Sequence, residues 1–409
     1  MASDPPRFLL LLPPAPSSVT TSSLKQAYGD TISQVLKEVA SRSSASSKAA
    51  ALEIALACPH LVGKRRAPRS SLYAQTQSLV AGVYTLIVTT AAKEGVNIED
   101  ADGVDARILL VAWSPGSEQA ETENYPYGPV GTLESLAKSG RPWQYAFGHE
   151  SEAGEAMVKA FLAAKGSSEE VVRVGSEGAA DTTDTSGTDQ AKSGSSASNV
   201  QGNSHYHYHV AVGGTFDHIH IGHKLLLTMT VFAVDEDVTQ GTQERSATIG
   251  ITGDQLLLKK KNRDLLESWE DRYRAVMTFV NAILDFSPPS SSGQRHVSIR
   301  DDPGPNGKSM DVHYPNGLVL KCTEIQDAFG PTITEEEISI LVLSAETMAG
   351  GKAVNDKREE KGWKPLEIFE VDILDAEEDA GAGKVEGFES KLSSTAIREK
   401  LAKKRQSSL

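Results

Sequence analysis

Val210-Ala211-Val212-Gly213-Gly214-Thr215-Phe216-Asp217-His218-Ile219-His220-Ile221-Gly222-His223 decides how the second half of this 409-residue chain is read. Val210 to Val212 is a short apolar run of the kind that forms a buried strand. Two glycines end it, a polar loop follows, and an apolar periodic segment starts at His223. The stretch therefore reads as strand, loop and helix start. The glycines let a bulky anion come close to the backbone. The new helix turns its unpaired N–H groups and the positive end of its dipole toward that anion. His220 and His223, three residues apart across the helix start, both face one polyphosphate. The combination suits a nucleoside triphosphate.

Working outward, Tyr208–Gly213 is a strand, and His223–Val234 is a helix with Leu225, Leu226, Met229 and Phe232 toward a core. Ala247–Thr252 is a second strand. Asp264–Phe286 reads as one long helix, with Trp269, Tyr273, Val276, Met277, Val280 and Ile283 near helical period. Val297–Ile299, Ile338–Leu343 and Leu366–Val371 read as strands, and a last helix starts near Ser394. Strands alternating with helices imply parallel pairing, with ligands beyond the carboxyl ends of the strands. Ser287–Gly293 and the acidic Ala376–Gly387 read as exposed loops.

The first 165 residues form another α/β pattern. Phe8–Leu12 and Ile108–Trp113 are strand-like, and Ser22–Val39, Ser71–Ala92 and Glu152–Ala164 are helical. No chemical motif stands out there, and Asp100, Asp102 and Asp105 read as a solvated loop. Residues 166–204 are dominated by Ser, Gly, Thr, Asp and Ala, too poor in large apolar groups to offset their ordering entropy. They read as a flexible, disordered linker between a domain at 1–165 and one at 205–409.

A net charge of -14 argues against nucleic acid or an anionic membrane surface as the main partner. Cys58 and Cys322 are in no metal-type spacing and imply two reduced thiols in the cytoplasm. Leu79–Ala92 is too short and too interrupted to span a bilayer and reads as a buried helix. The apolar run Phe8–Leu12 is too short for a secretory core. His205, His207 and His209 share one face of an extended segment, most simply as exposed imidazoles.

Thr215 has a hydroxyl and an N–H for an incoming phosphate, or is a turn threonine. Asp217 orients neighbouring backbone, helps hold a metal ion or caps the next turn. Near the end, Ser393-Ser394-Thr395-Ala396-Ile397-Arg398 opens an amphipathic run with strong N-cap types. A second phosphate-facing helix terminus is compatible with that capping, with Arg398 supplying a guanidinium.

Thr-Phe-Asp-x-x-His-x-Gly-His with a late Ser-Ser-Thr-x-x-Arg resembles the HIGH-type nucleotidyltransferase superfamily. Thr252-Gly253-Asp254-Gln255-Leu256-Leu257, Lys259-Lys260-Lys261, Glu270-Asp271-Arg272, Leu343-Ser344-Ala345-Glu346-Thr347, Gly350-Gly351 and Ala353-Val354-Asn355 before Arg358 are similar to the eukaryotic, fungal-like type of phosphopantetheine adenylyltransferase. The likeness covers about His205 to Lys404. It implies a Rossmann-like parallel-sheet domain that transfers the adenylyl group of ATP to 4′-phosphopantetheine, in coenzyme A synthesis, with Mg²⁺ held mainly by the phosphates and no protein metal site. It further implies that Thr215 meets the attacking phosphate and that His223 stabilises the transition state. Lys260, favoured among the three lysines, would hold the acceptor phosphate. Gly213, Gly214, Asp217, His220, Ser394, Thr395 and Arg398 would attend the triphosphate. Met348 and Ala349 stand where the family often has a basic residue, with Lys352 as a substitute. The N-terminal domain is a candidate surface for other enzymes of the pathway. Nothing in the chain reads as the Gly-x-x-x-x-Gly-Lys-Ser/Thr loop of an appended kinase. The competing readings are a cytidylyltransferase, a nicotinamide-mononucleotide adenylyltransferase and a non-catalytic scaffold.

Overall fold

The computed structural model describes residues 5–43, 49–98, 103–117, 126–166, 170–175, 206–237, 243–291, 295–301, 306–371 and 393–407. The first domain is a six-stranded parallel sheet of β1 (Arg7–Leu12), β2 (Ala50–Ala57), β3 (Val104–Val111), β4 (Val130–Gly131), β5 (Tyr145–His149) and β6 (Val171–Val174). The order is β4-β3-β2-β1-β5-β6, with α1 (Thr21–Ser43), α2 (Ser70–Glu94), α3 (Leu133–Lys138) and α4 (Glu152–Lys165) between strands. β2 is buried along its whole length, so it shows no alternation, and its alanines hide it from a period-based reading. Leu79–Ala92 lies within α2 and is almost wholly buried, as its composition implies.

Two expectations for this half need correction. Val171–Val174, read as part of the linker, pairs in parallel with β5, because its valines complete that edge of the sheet. Asp105 is no loop residue. It lies in β3, where Lys224 and Arg107 neutralise it. Asp100, Asp102 and most of the expected linker fall outside the described residues.

The second sheet contains β7 (His209–Gly214), β8 (Arg245–Thr252), β9 (His296–Arg300), β10 (Ser309–His313), β11 (Leu318–Ile325), β12 (Ile340–Ser344) and β13 (Glu367–Val371). Its order is β13-β12-β7-β8-β11-β10-β9. The first five are parallel neighbours, whereas β10 and β9 add on antiparallel. The expected parallel pairing holds among those five, and the added edge is antiparallel because the connections there are too short for a crossover. The helices are α5 (Ile221–Ala233), α6 (Trp269–Leu284), α7 (Met348–Glu360) and α8 (Ser394–Ser407). The expected helix Asp264–Phe286 is split into a 3-10 turn, Arg263–Leu265, and α6, which starts where Ser268 caps it. Residues 289–291 form another 3-10 turn, and the loop expected at 376–387 lies outside the described residues.

The chain leaves β7 toward β8 on one side and later returns with β12 on the other. That reversal opens a crevice at the carboxyl ends of β7 and β12, the usual ligand position in such sheets. The two domains share one apolar core. Tyr73 of α2 meets Phe232 of α5, and Arg141 donates to the carbonyls of Ala282 and Asp285 at 2.6 and 2.7 Å. Among the described residues no helix is long and apolar enough to cross a membrane. Both cysteines are free and buried, and burial pushes the Cys58 thiol up to about 12, so neither is a poised nucleophile.

Candidate active site

The strand β7 delivers Gly213 and Gly214 to the crevice. A Cβ on Gly213 would meet nothing within 4 Å, so this glycine faces open space. A Cβ on Gly214 would lie 3.0 and 3.1 Å from ring carbons of Phe216. Gly214→Ala is therefore expected to destabilise the chain by about 1–3 kcal/mol, and Gly213→Ala by much less; parallel urea denaturation curves check this contrast. Phe216 and His218 have φ of 52° and 48°, left-handed values that cost about 1–3 kcal/mol each for such side chains. Burial of the Phe216 ring offsets one. The other is held by the His218 N–H, which donates to Glu267 at 2.7 Å, and by His218 Nε2, 2.9 Å from the Leu265 carbonyl.

This bent loop sets His220 and His223 against each other. Their rings stack with centroids 3.9 Å apart, and His223 also meets the Phe216 ring at 5.3 Å. His220 is the N-cap of α5 without a side-chain cap bond, and the first turn carries no acidic residue, so its N–H groups stay available to an anion. The Nδ1 atoms of both histidines are buried without a hydrogen-bond partner among the described residues. Burial holds both imidazoles neutral. It lowers His223 to about 4, with Asp217 opposing, and His220 well below its ordinary value, with His223 and Lys224 adding to the shift.

This neutrality has a sign in stability. Above pH 6.5 the folded and unfolded chains both carry a neutral His223. As pH falls from 6.5 toward 4, the unfolded chain takes up the proton first, so stability is lost across that window. The ligand-free melting temperature is expected to fall more steeply over this range for the natural chain than for His223→Asn.

The late motif arrives at the same place. The Ser393 carbonyl starts α8 by accepting the Ile397 N–H. Ser394 Oγ donates to the Asp217 carbonyl at 2.8 Å and lies 3.5 Å from His220 Nε2. Two stretches separated by more than half the domain thus meet at one helix-to-helix junction. Arg398 and Asp217 depart from expectation. Asp217 is fully buried; its Oδ1 accepts the Glu267 N–H at 2.9 Å and its Oδ2 is bound by Arg398. A carboxylate beside a polyphosphate would repel it, whereas a buried guanidinium requires a countercharge. Arg398 is 2% exposed; its Nε also donates to the Lys261 carbonyl and its Nη2 to Thr395 Oγ1, both at 3.2 Å. In this structure it fastens α8 to the histidine loop instead of standing open to phosphates, and Thr395 is the exposed member of the set.

Thr215 is half-buried next to Gly214, and its carbonyl accepts a 2.7 Å bond from Arg272. Arg272 is fully buried, binds Asp254 at 2.6 Å and donates to the Glu267 carbonyl at 3.1 Å. It therefore joins the Thr215 loop to the turn that leads into the lysines. Sequence reasoning gave it no role. The available signal was an arginine placed between Trp269 and Val276 on the apolar face of its helix. Lys259 and Lys260 are exposed on the loop after that turn, and no side-chain contact among the described residues engages them. Lys261 bonds Glu399 of α8 at 2.8 Å. Met348 is packed against the small core beneath β12, and Lys352 pairs with Asp356 on the surface of α7, so neither reaches toward the histidines. His207 is buried, not exposed as expected, because its ring packs beside Phe369 at the starts of β12 and β13, where Ser339 at 3.0 Å and Glu367 at 3.2 Å engage it. His209 bonds Ser246 at 2.9 Å, and His205 lies outside the described residues. Among the described residues no group of three or more His, Cys, Asp or Glu is arranged to hold a metal.

The family model described as cytidylyltransferase-like matches residues 211–400, and one described as a domain of unknown function matches residues 1–179. The chain is 35% identical over 194 residues to a Schizosaccharomyces pombe protein described as uncharacterized, covering 47% of this chain and 48% of that one. It is 33% identical over 192 residues to the phosphopantetheine adenylyltransferase of Saccharomyces cerevisiae, again 47% of this chain and 48% of the relative. To the Thermococcus kodakarensis phosphopantetheine adenylyltransferase it is 30% identical over 165 residues, 40% of this chain and 74% of the relative. The chain spans about half the length of the two fungal relatives it matches. The strand-loop-helix crevice and the likeness along its second half together place the protein: it belongs to the cytidylyltransferase-like, HIGH-type family of nucleotidyltransferases.

Proposed function

We propose that this nucleotidyltransferase moves the adenylyl group of ATP to 4′-phosphopantetheine, giving dephospho-CoA and pyrophosphate. The observation that carries the reading is the pair of stacked, neutral histidines with unpartnered Nδ1 atoms at the open start of α5, joined to the start of α8 through Ser394. The relatives named for this activity support the choice of acceptor. The acceptor phosphate attacks the α-phosphorus in line, so no protein nucleophile is needed. Catalysis then consists of alignment and neutralisation of growing charge on the bridging and terminal oxygens. In this scheme Thr215 and an exposed lysine, with Lys260 favoured, receive the acceptor phosphate, and His223 donates to the reacting phosphoryl group. Gly213 lets the nucleotide approach the backbone, while His220, Ser394 and Thr395 attend the triphosphate tail. Arg398 contributes by holding α8 in place, and also by direct contact if its guanidinium turns from Asp217. Mg²⁺ bound with ATP would supply further charge neutralisation; with Asp217 engaged by Arg398, the phosphate oxygens would be its main ligands. The free thiols suit the cytoplasm as the site of action.

Pyrophosphate release from the full chain tests the reading. Release is expected with ATP and phosphopantetheine together. Preference for CTP, or for another phosphate acceptor such as nicotinamide mononucleotide, would assign the chain to a different branch, and no release with any pair would favour a scaffold.

A further inference from the structure

The first domain holds the helix that carries the histidine pair, and it does so through a group with no evident reason to be where it is. Lys224 follows His223 in the first turn of α5, and its backbone N–H donates to the His220 carbonyl at 3.0 Å. A cation near a helix N-terminus opposes the dipole. Lys224 is also only 4% exposed, so its charge has lost its water as well. Both penalties are answered by the other domain. Its Nζ bonds Asp105 Oδ1 at 2.6 Å and the Ala106 carbonyl at 2.9 Å, both in β3. Asp105 is in turn oriented by Arg107, whose Nε donates to Oδ2 at 2.9 Å. At the far end of α5, Asp235 accepts the Arg69 N–H from the first domain and the His207 N–H from the second, each at 2.6 Å. Between these points Tyr73 of α2 packs on Phe232. The helix is therefore gripped at its start and at its end by a domain that supplies none of the described histidine-loop residues.

We propose that Asp105 is a positioning residue for group transfer: through Lys224 it fixes the first turn of α5, and with it the angle at which His220 and His223 meet the nucleotide. This rests on the reading of the histidine pair as the reacting site. A polar attachment this close to the reacting atoms matters because a displacement of about 1 Å can lower a rate by about a hundredfold. A local rule broken at a buried position, with its compensation built into another domain, is the pattern expected at a functional site.

The test uses the full chain with D105N, K224M and the double variant. Each single change leaves a polar partner stranded. The double variant removes both charges, which buried sites often tolerate, and so separates folding from function. Turnover at saturating substrate is expected to fall about tenfold or more in all three, with the KM for ATP changed less than about threefold, because alignment is lost and not ground-state binding. The ring signals of His220 and His223, followed by NMR in histidine-labelled protein, are expected to shift in the double variant. A double variant that melts at a lower temperature but keeps natural turnover and unchanged ring signals would overturn the proposal and leave the pair as a domain tether only. If the natural chain releases no pyrophosphate from ATP and phosphopantetheine while the ring signals still move in the variants, the substrate reading fails and the positioning role stands. Unchanged ring signals overturn the positioning role whatever the substrate.

Discussion

Replacing His223 by alanine is expected to lower turnover by at least about two orders of magnitude while most of the stability remains, because it removes a donor used most strongly as charge develops. The ring is neutral, buried and stacked on His220, and its Nδ1 has no partner among the described residues. Such a group makes its best hydrogen bond only when a charged ligand arrives. His223→Ala also loses the contact with Phe216 at 5.3 Å, so His223→Asn serves as a second variant that keeps more of the volume. Initial rates at saturating ATP and acceptor, with melting curves alongside, check the expectation. Natural turnover in both variants would return the chain to the scaffold reading.

The second large effect is on folding. Asp217→Ala is expected to destabilise the protein by about 3–5 kcal/mol, because it leaves the buried Arg398 guanidinium without its countercharge and the Glu267 N–H without its acceptor. Denaturant unfolding of the natural chain and the variant measures this. Arg398→Ala is expected to be destabilising for the converse reason, and the double variant Asp217→Ala/Arg398→Ala less than additive, since the two groups share one interaction. Strict additivity would mean that the pair is not coupled. A raised KM for ATP in Arg398→Ala, beyond any loss of folded protein, would show direct contact with the triphosphate as well.

Much of the local geometry of the candidate site was legible because it is contiguous in the chain. Gly213-Gly214, the polar loop and the start of α5 are contiguous, and backbone preference with side-chain polarity is enough to read them as a strand, a turn and an open helix end. Ser393 and Ser394 announced the start of α8 by the same means. The strand β2 escaped because a segment buried on both faces has no period to detect. Val297–Ile299 was legible as a strand, but its antiparallel pairing escaped because its partner β10 was not recognised as a strand. Arg272 escaped because an arginine in an apolar helix face has no meaning until Thr215 and Asp254 are seen beside it.

The amino-acid order alone determined that the second half of the chain carries a strand, a glycine turn and an open helix start, and a second helix near its end, since these depend on neighbours a few residues away. Only the tertiary structure decided that Asp217 takes Arg398 and not a phosphate, and that Asp105 reaches across to Lys224. Charges buried together must neutralise one another, and which carboxylate meets which cation is set by how sheets and helices pack, not by distance along the chain.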